Sequence, residues 1–184
     1  MQEIKLIAPF GKEVVKMLKA GDKVLISGTI LAARDAAHKA LTEAIARNEK
    51  LPVKLQNELI YYLGPSPAKP NEIIGSAGPT TSGRMDKDTP AIIAQGISGM
   101  IGKGYRSQEV IDCMVTNQVV YMVAVGGAGA LISESILKYE VLAYPELGPE
   151  AIARLTIKDF PAIVAIDCQG NNFYEIGQKP YQKL

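Results

Sequence analysis

The most informative stretch of this sequence is Gly75-Ser-Ala-Gly-Pro-Thr-Thr-Ser-Gly-Arg-Met-Asp86, which we call the glycine-rich loop. It is too flexible for a helix interior and too poor in β-branched apolar residues for a central strand. Glycine lets backbone N–H groups turn toward a bound oxygen, and the planar guanidinium of Arg84 matches a carboxylate. Thr80, Thr81 and Ser82 add small hydrogen-bonding groups on the same turn. The alternative is a surface loop whose Gly, Pro and Ser only make turns.

The composition is that of a globular protein without a strong charge. The 184 residues suit one domain, spanning 1–184, that is large enough for a core. A net charge of +1 gives no electrostatic reason to bind nucleic acid or an acidic membrane surface. The longest apolar run, Val119 to Ile132, is too short to span a bilayer, and Glu3 and Lys5 interrupt any secretory signal. We therefore expect a soluble, cytoplasmic protein with no nucleic-acid or membrane partner.

The cysteines and the histidine limit the metal chemistry of the chain. Its two cysteines, Cys113 and Cys168, are expected to be reduced in a protein without a signal peptide. An iron–sulfur cluster usually takes four protein thiolates, or three when one iron is open, so two cannot hold one. The single histidine, His38, argues against a His-rich site. Any metal chemistry must therefore come from another chain.

The first half of the chain predicts alternating strands and helices. Asp22–Ser27 is typical of a strand ended by Gly28, and the apolar spacing from Leu31 to about Asn48 predicts a helix, capped by Ser27 or Thr29. The following segments are a strand, an extended proline-rich connection and a short strand that leads into the glycine-rich loop: Leu59–Leu63, Gly64–Pro70 and Glu72–Gly75.

The second half mixes the two kinds of element without a regular repeat. Thr89-Pro90 predicts the start of a helix that runs to about Met100, and Gly102-Lys103-Gly104 an exposed turn. Gly126–Ala130 resembles part of a dinucleotide fingerprint but lacks its third glycine, so a tight turn is favoured. The remaining predictions are helices at Ser107–Thr116 and Pro149–Arg154, strands at Val119–Val125, Tyr139–Tyr144, Leu155–Ile157 and Ala162–Ile166, and a hairpin through Asp167–Asn172 into Phe173–Ile176. This order predicts a compact α/β domain with a mixed sheet.

A cation and an imidazole fall near the predicted start of the first long helix. Arg34 and His38 are four residues apart, so they share one side of that helix. Beside free helical N–H groups they would form an anion pocket. The alternative is an ordinary solvated polar face, which every amphipathic helix needs.

Three cations occupy glycine-flanked or helix-terminal positions: Arg34, Arg84 and Lys103. If they converge, they would bind a small molecule with two carboxylates, with Thr80 and Thr81 between them. One histidine and scattered serines give no nucleophile triad, and no carboxylate pair is present for acid–base work. The chain therefore has the character of half an active site.

Several motifs together resemble the β subunit of class I fumarases. They are Gly28-Thr29 with Ala33–Lys39, Gly78–Asp86, Gly102–Gly104, and Asp159–Ile166 with Gly170–Asn172. The same module forms the C-terminal domain of the single-chain enzymes and the β subunit of L-tartrate dehydratase. The resemblance implies a swivelling β/β/α fold and an α subunit that carries an oxygen-sensitive 4Fe–4S cluster, in an α2β2 assembly.

The resemblance also implies roles for individual residues. Thr80 would be the catalytic base of the hydration step, and Arg34, Arg84 and Lys103 would grip carboxylate and hydroxyl oxygens of a dicarboxylate substrate. Thr81 and His38 would be neighbours in the substrate pocket. The expected substrates are malate and fumarate, with L-tartrate as the alternative. A non-catalytic docking domain is the competing interpretation from another class, and a nucleotide-binding enzyme is a further one.

Overall fold

Seven strands form one mixed sheet in the computed structural model, which describes residues 3–182. The strands are β1 (Ile4–Ala8), β2 (Lys23–Ala32), β3 (Leu59–Tyr61), β4 (Gly99–Gly102), β5 (Val120–Val123), β6 (Ile136–Ala143) and β7 (Ile152–Ile166). The helices are α1 (Lys12–Val15), α2 (Asp35–Ala46), α3 (Thr89–Ile93), α4 (Gln108–Asn117), α5 (Gly129–Ser133) and α6 (Phe173–Ile176). Three 3₁₀ segments lie at Ser82–Met85, Pro145–Glu150 and Lys179–Tyr181. The predicted α/β class with a mixed sheet is confirmed.

The sheet closes on itself. Strands β1 to β5 are neighbours in sequence order and run parallel, whereas β7 runs antiparallel to β5, β6 and β2. Because β7 bonds to both β5 and β2, the strands β2, β3, β4, β5 and β7 form a hydrogen-bonded ring. Parallel neighbours need a crossover connection, and α2, α3 and α4 supply those from β2 to β5.

Apolar side chains pack on both faces of this ring. Successive strand residues point to opposite faces, so Tyr61 belongs to one buried cluster while Ile60 belongs to the other. The second cluster also contains Ala37 and Leu41 of α2 and Met114 of α4, so these helices cover that face. Among the described residues, no helix is long and apolar enough to cross a membrane.

The parallel strands place their carboxyl ends at one edge of the sheet. In open and in closed α/β sheets alike, ligands bind outside the carboxyl ends of parallel strands, where connecting loops converge. Here β2 leads to Arg34, β4 leads to Lys103, and β3 leads toward the glycine-rich loop. The fold therefore brings the predicted site residues to a common edge.

Gly28 does not end a strand, contrary to the sequence prediction. Strand β2 continues through it to Ala32, so the helix predicted from Leu31 begins only at Asp35, and Arg34 rather than Ser27 or Thr29 is its N-cap residue. The φ of Gly28 is +109°, and a Cβ there would overlap the backbone oxygen of Ala8. The glycine therefore permits close pairing of β1 and β2 instead of stopping β2.

Other predicted boundaries are also wrong because long-range pairing overrides local signals. The helix predicted to reach Met100 ends at Ile93, followed by Gly96 with a φ of +89°, and Met100 lies in β4. The predicted helix Pro149–Arg154 and the two strands after it are a turn and one long strand, β7, and Phe173–Ile176 is helix α6 rather than a hairpin strand. The predicted strand Glu72–Gly75 is a loop. The predicted helix from Ser107 and the predicted strand at Val119–Val125 are confirmed as α4 and β5, and Ser107 is the N-cap of α4.

Candidate active site

The glycine-rich loop is anchored at its first half by backbone groups. The Tyr61 hydroxyl donates to the Ala77 carbonyl at 2.6 Å, and the Ala77 N–H donates to the Gly129 carbonyl at 3.0 Å. Further along, the Thr80 N–H donates to the Tyr62 carbonyl at 2.8 Å. The loop is thus held between the end of β3 and the first turn of α5.

The second half of the loop is bonded to the residue that follows β4. The Lys103 N–H donates to the Thr80 carbonyl at 3.2 Å, and the Ser82 N–H donates to the Lys103 carbonyl at 2.9 Å. Ser82 Oγ also lies 2.8 Å from the Tyr121 hydroxyl. These bonds fix Thr80 and Lys103 side by side. Thr80 is buried, whereas its neighbour Thr81 is exposed, so the two threonines face different surroundings.

The Arg34 side chain connects α2 to this loop. Its Nη1 donates to Thr80 Oγ1 at 3.2 Å, and its Nη2 lies 3.1 Å from Glu150 Oε1. Its Nε is 3.8 Å from Asp35 Oδ2 and has no hydrogen-bond partner within residues 3–182. A Cβ at Gly64 would overlap the guanidinium, so only glycine lets Arg34 lie against that backbone.

Arg84 and Lys103 are the accessible cations of the site. Arg84 Nη2 lies 2.8 Å from Asp35 Oδ2, which places the Asp35 carboxylate beside both arginines. The Arg84 side chain is 54% exposed, compared with 23% for Arg34. Lys103 is exposed, passes beside Gly126, and forms no ion pair with the described part of the chain. Both cations can therefore meet an incoming anion.

His38 lies beneath the site rather than in it. It is 1% exposed, and its ring packs edge-on against Tyr62 with 5.1 Å between centroids. Burial, and then the charge of Arg106, lower the pKa of His38 to about 3, so the imidazole is neutral at pH 7. Position 38 falls on the buried face of α2, so the expected Arg34–His38 anion pocket is not formed, and a solvated polar face is equally wrong for this residue.

Sequence reasoning missed a buried arginine that anchors the end of the glycine-rich loop. The Arg106 guanidinium donates to Asp86 Oδ1 at 2.8 Å, to the Tyr62 hydroxyl at 3.0 Å and to Thr89 Oγ1 at 2.7 Å. Asp86 Oδ2 accepts the Ser107 N–H at 2.7 Å. Burial opposes the charge, but contacts with Tyr62 and Asp86 outweigh it and raise the pKa of Arg106. Asp86, the acidic residue at the end of the glycine-rich loop, was the feature of the sequence that could have indicated a basic partner.

Asp35 and Glu150 were missed as well. Both carboxylates contact the Arg34 guanidinium or lie beside it, and Asp35 also pairs with Arg84. Asp35 directly follows Arg34 in the sequence, so it could have been predicted to lie beside the Arg34 guanidinium. Glu150 is remote in sequence and sits in a turn that was predicted to be a helix, so no local signal pointed to it.

The arrangement suits proton transfer beside an anion. Because Arg34 donates to Thr80 Oγ1, the hydroxyl is left to direct its own proton toward another acceptor. The guanidinium charge also stabilises negative charge on that oxygen. The exposed Arg84 and Lys103 can hold carboxylates, the first with a planar fork and the second as a compact charge.

The described residues offer no metal-binding cluster of three His, Cys, Asp or Glu side chains. Cys113 packs against the helix-covered face of the sheet, and Cys168 packs against the cluster on the other face. Two thiols on opposite faces do not fit as ligands of one iron–sulfur cluster.

Comparison with known proteins gives a consistent assignment. The family model described as Fumarase C-terminus matches residues 1–177. The chain is 42% identical over 180 residues to a protein of Methanocaldococcus jannaschii named "Putative L(+)-tartrate dehydratase subunit beta", covering 94% of this chain and 92% of that protein. It is 40% identical over 155 residues to the aerobic class I fumarate hydratase of Salmonella typhimurium, covering 83% of this chain.

The length covered differs between these relatives. The chain spans 27% of the Salmonella enzyme and 31% of the aerobic class I fumarate hydratase of Escherichia coli, to which it is 38% identical over 89% of its own length. These relatives are all named as hydratases or dehydratases, which are hydro-lyases. The chain belongs to the Fumarase C-terminus family.

Proposed function

We propose that this chain forms one half of a hydro-lyase active site that interconverts (S)-malate and fumarate plus water. The observation that carries the proposal is the hydrogen bond from Arg34 Nη1 to Thr80 Oγ1, with the exposed cations Arg84 and Lys103 nearby. Relatives named fumarate hydratase support this substrate pair. A four-carbon dicarboxylate offers one carboxylate for these cations and keeps its reacting carbons near Thr80.

Thr80 transfers the proton in this proposal. Dehydration of malate removes a proton from one carbon and the hydroxyl group from its neighbour, which gives fumarate and water, and hydration reverses both steps. Thr80 first gives its hydroxyl proton to a group of the partner chain, and the Arg34 charge stabilises the resulting alkoxide, which accepts the carbon-bound proton; hydration returns that proton to carbon. A threonine hydroxyl is a weak base, so groups of the partner chain must assist. Arg84 and Lys103 hold the substrate in a reactive orientation.

The other half of the site belongs to a partner chain. We assign to it the 4Fe–4S cluster, because the two thiols of this chain do not fit as cluster ligands. An open cluster iron supplies Lewis-acid chemistry when the cluster is bound. The relative named as a "subunit beta" supports an assembly with a second subunit. For that assembly we propose an α2β2 form. The free cysteines Cys113 and Cys168 suit the cytoplasm, where thiols are kept reduced.

L-tartrate is the second candidate substrate, and the Methanocaldococcus relative favours it. The test is a steady-state assay of the complex reconstituted anaerobically with its cluster-bearing partner. We expect kcat/KM to be higher for malate than for L-tartrate. A higher value for L-tartrate would reverse the substrate assignment. A complex that neither binds nor converts any dicarboxylate would identify the chain as a docking domain instead.

A further inference from the structure

We propose that Glu150 is a positioning residue that holds the Arg34 guanidinium against Thr80. This role rests on the proposed proton transfer by Thr80 and adds to it the group that sets the geometry. Glu150 lies far from both residues in sequence, at the end of the 3₁₀ segment Pro145–Glu150. That segment packs against α2, the helix that Arg34 precedes.

Both oxygens of the Glu150 carboxylate are used. Oε1 lies 3.1 Å from Arg34 Nη2, and Oε2 accepts the Ala36 N–H at 2.8 Å. Ala36 belongs to the first turn of α2, where free N–H groups favour a negative charge. The Glu150 and Arg34 side chains are 24% and 23% exposed, so water screens this pair only in part. Capping of α2 uses only Oε2 of Glu150, so the contact of Oε1 with Arg34 is a second and separate interaction.

The second contact fixes the direction of the guanidinium. The group is planar, so an anchor at Nη2 together with the close approach of the Gly64 backbone determines where Nη1 points. Nη1 points to Thr80 Oγ1. Without Glu150, the carboxylate that remains beside Arg34 within residues 3–182 is Asp35, 3.8 Å from Nε, on the side where Arg84 also binds. Arg34 would then turn toward Asp35 and away from Thr80.

The substitution that isolates this role is Glu150→Gln. Glutamine keeps the length of the side chain and one carbonyl oxygen that can accept the Ala36 N–H. The oxygen that faces Arg34 is replaced by an NH2 group, which cannot accept a hydrogen bond from the guanidinium. We expect kcat of the reconstituted complex on malate to fall at least about tenfold, because small displacements of catalytic groups are costly. The thermal midpoint should change little. Glu146→Gln is the matched control, since Glu146 is an exposed glutamate on the same 3₁₀ segment.

A double-mutant cycle tests whether Glu150 acts through Arg34. In an Arg34→Lys background the planar group is absent, so Glu150→Gln should reduce kcat little further. An equal loss in both backgrounds would overturn the proposal, because Glu150 would then act on stability or on another group.

A second readout does not depend on catalysis. In the full chain, ¹⁵N NMR of the Arg34 guanidinium should show hindered rotation, Glu150→Gln should make that rotation fast, and Glu146→Gln should leave it hindered. Fast rotation in the wild-type chain, or hindered rotation in Glu150→Gln, would overturn the positioning role. A released Arg34 with unchanged kcat would overturn its importance for turnover. If the wild-type complex converts neither malate nor L-tartrate, the proposed function fails while the NMR result still decides the contact.

Discussion

Replacing Arg106 with methionine should lower the free energy of unfolding by about 3–5 kcal/mol, the usual cost of removing one partner of a buried ion pair. The Arg106 side chain is fully buried, and its loss leaves Asp86 with the Ser107 N–H as its remaining bonded partner among those observed. The Tyr62 hydroxyl and Thr89 Oγ1 each lose a donor as well. The Asp86 side chain is 17% exposed, so water can reach it and the lower end of the range is expected.

Urea unfolding of the full chain measures this loss. For a chain of this size, 1 kcal/mol corresponds to about 2–4 °C in the thermal midpoint, so a decrease of roughly 6–20 °C should accompany it. Arg154→Met is the matched control, because Arg154 is exposed on β7, and its effect should stay within about 0.5 kcal/mol. Arg106→Lys should give an intermediate loss, since lysine keeps the charge but not the fork.

The reasoning is refuted if Arg106→Met costs less than about 1 kcal/mol, the net value of one ordinary hydrogen bond. It is refuted equally if Arg154→Met destabilises the chain as much. In either case, the end of the glycine-rich loop would be held by other contacts.

Three further substitutions have definite expected outcomes. The pKa of His38 is lowered from 6.5 to about 3, so on acidification the unfolded chain takes up a proton at His38 before the folded chain does, and the free energy of unfolding falls below pH 6.5. Urea unfolding of His38→Phe should therefore lose about 2 kcal/mol less than the wild type between pH 7 and pH 5. An unchanged pH dependence would contradict the lowered pKa. Gly64→Ala should displace the Arg34 guanidinium and lower kcat of the reconstituted complex at least about tenfold; full activity would mean that Arg34 works from another position. Arg84→Lys keeps the charge but loses the bidentate fork, so kcat/KM should fall about ten- to a hundredfold, and wild-type kinetics would remove Arg84 from the site.

Local signals in the sequence were sufficient for the parts of the fold that depend on neighbouring residues. Helix α4 begins next to Ser107, where the sequence predicted a helix to start, and the apolar run at β5 forms a strand buried in the sheet. The glycine-rich loop is irregular apart from the 3₁₀ segment Ser82–Met85, and it is held at the carboxyl ends of parallel strands. These features follow from capping, residue propensity and turn chemistry, which act over a few residues.

Long-range pairing decided the rest. Strand β7 passes through Asp159, with a φ of +49°, and through Pro161, which local rules treat as breaks, because β2 pairs with it along most of its length. Strand β4 is only Gly-Met-Ile-Gly and gains its structure from β3 and β5 on either side. Such pairings cannot be read from one segment alone.

Several residues that the sequence singled out lie close together in the structure, but the residues that support them were not predicted. Arg34 and Thr80 are in contact, Arg84 joins them through Asp35, and Lys103 joins them through the backbone of Thr80. The spacing of Arg34 and His38 predicted that both would lie on one side of the helix, but the His38 side chain of α2 is buried in the core. Glu150 acts across the fold, so only the structure could place it, whereas Asp86 at the end of the loop indicated a basic partner without identifying Arg106.

The most direct test of the account is kcat for malate in the anaerobically reconstituted complex carrying Thr80→Val, measured beside Thr81→Val. Valine keeps the volume and β-branching of threonine and removes only the oxygen that Arg34 contacts. If Thr80 transfers the proton, kcat should fall by about 10²–10⁴-fold while KM changes little, and the exposed Thr81 should give a much smaller loss. An active Thr80→Val complex, or one that changes only KM, would show that this chain grips the substrate without moving the proton.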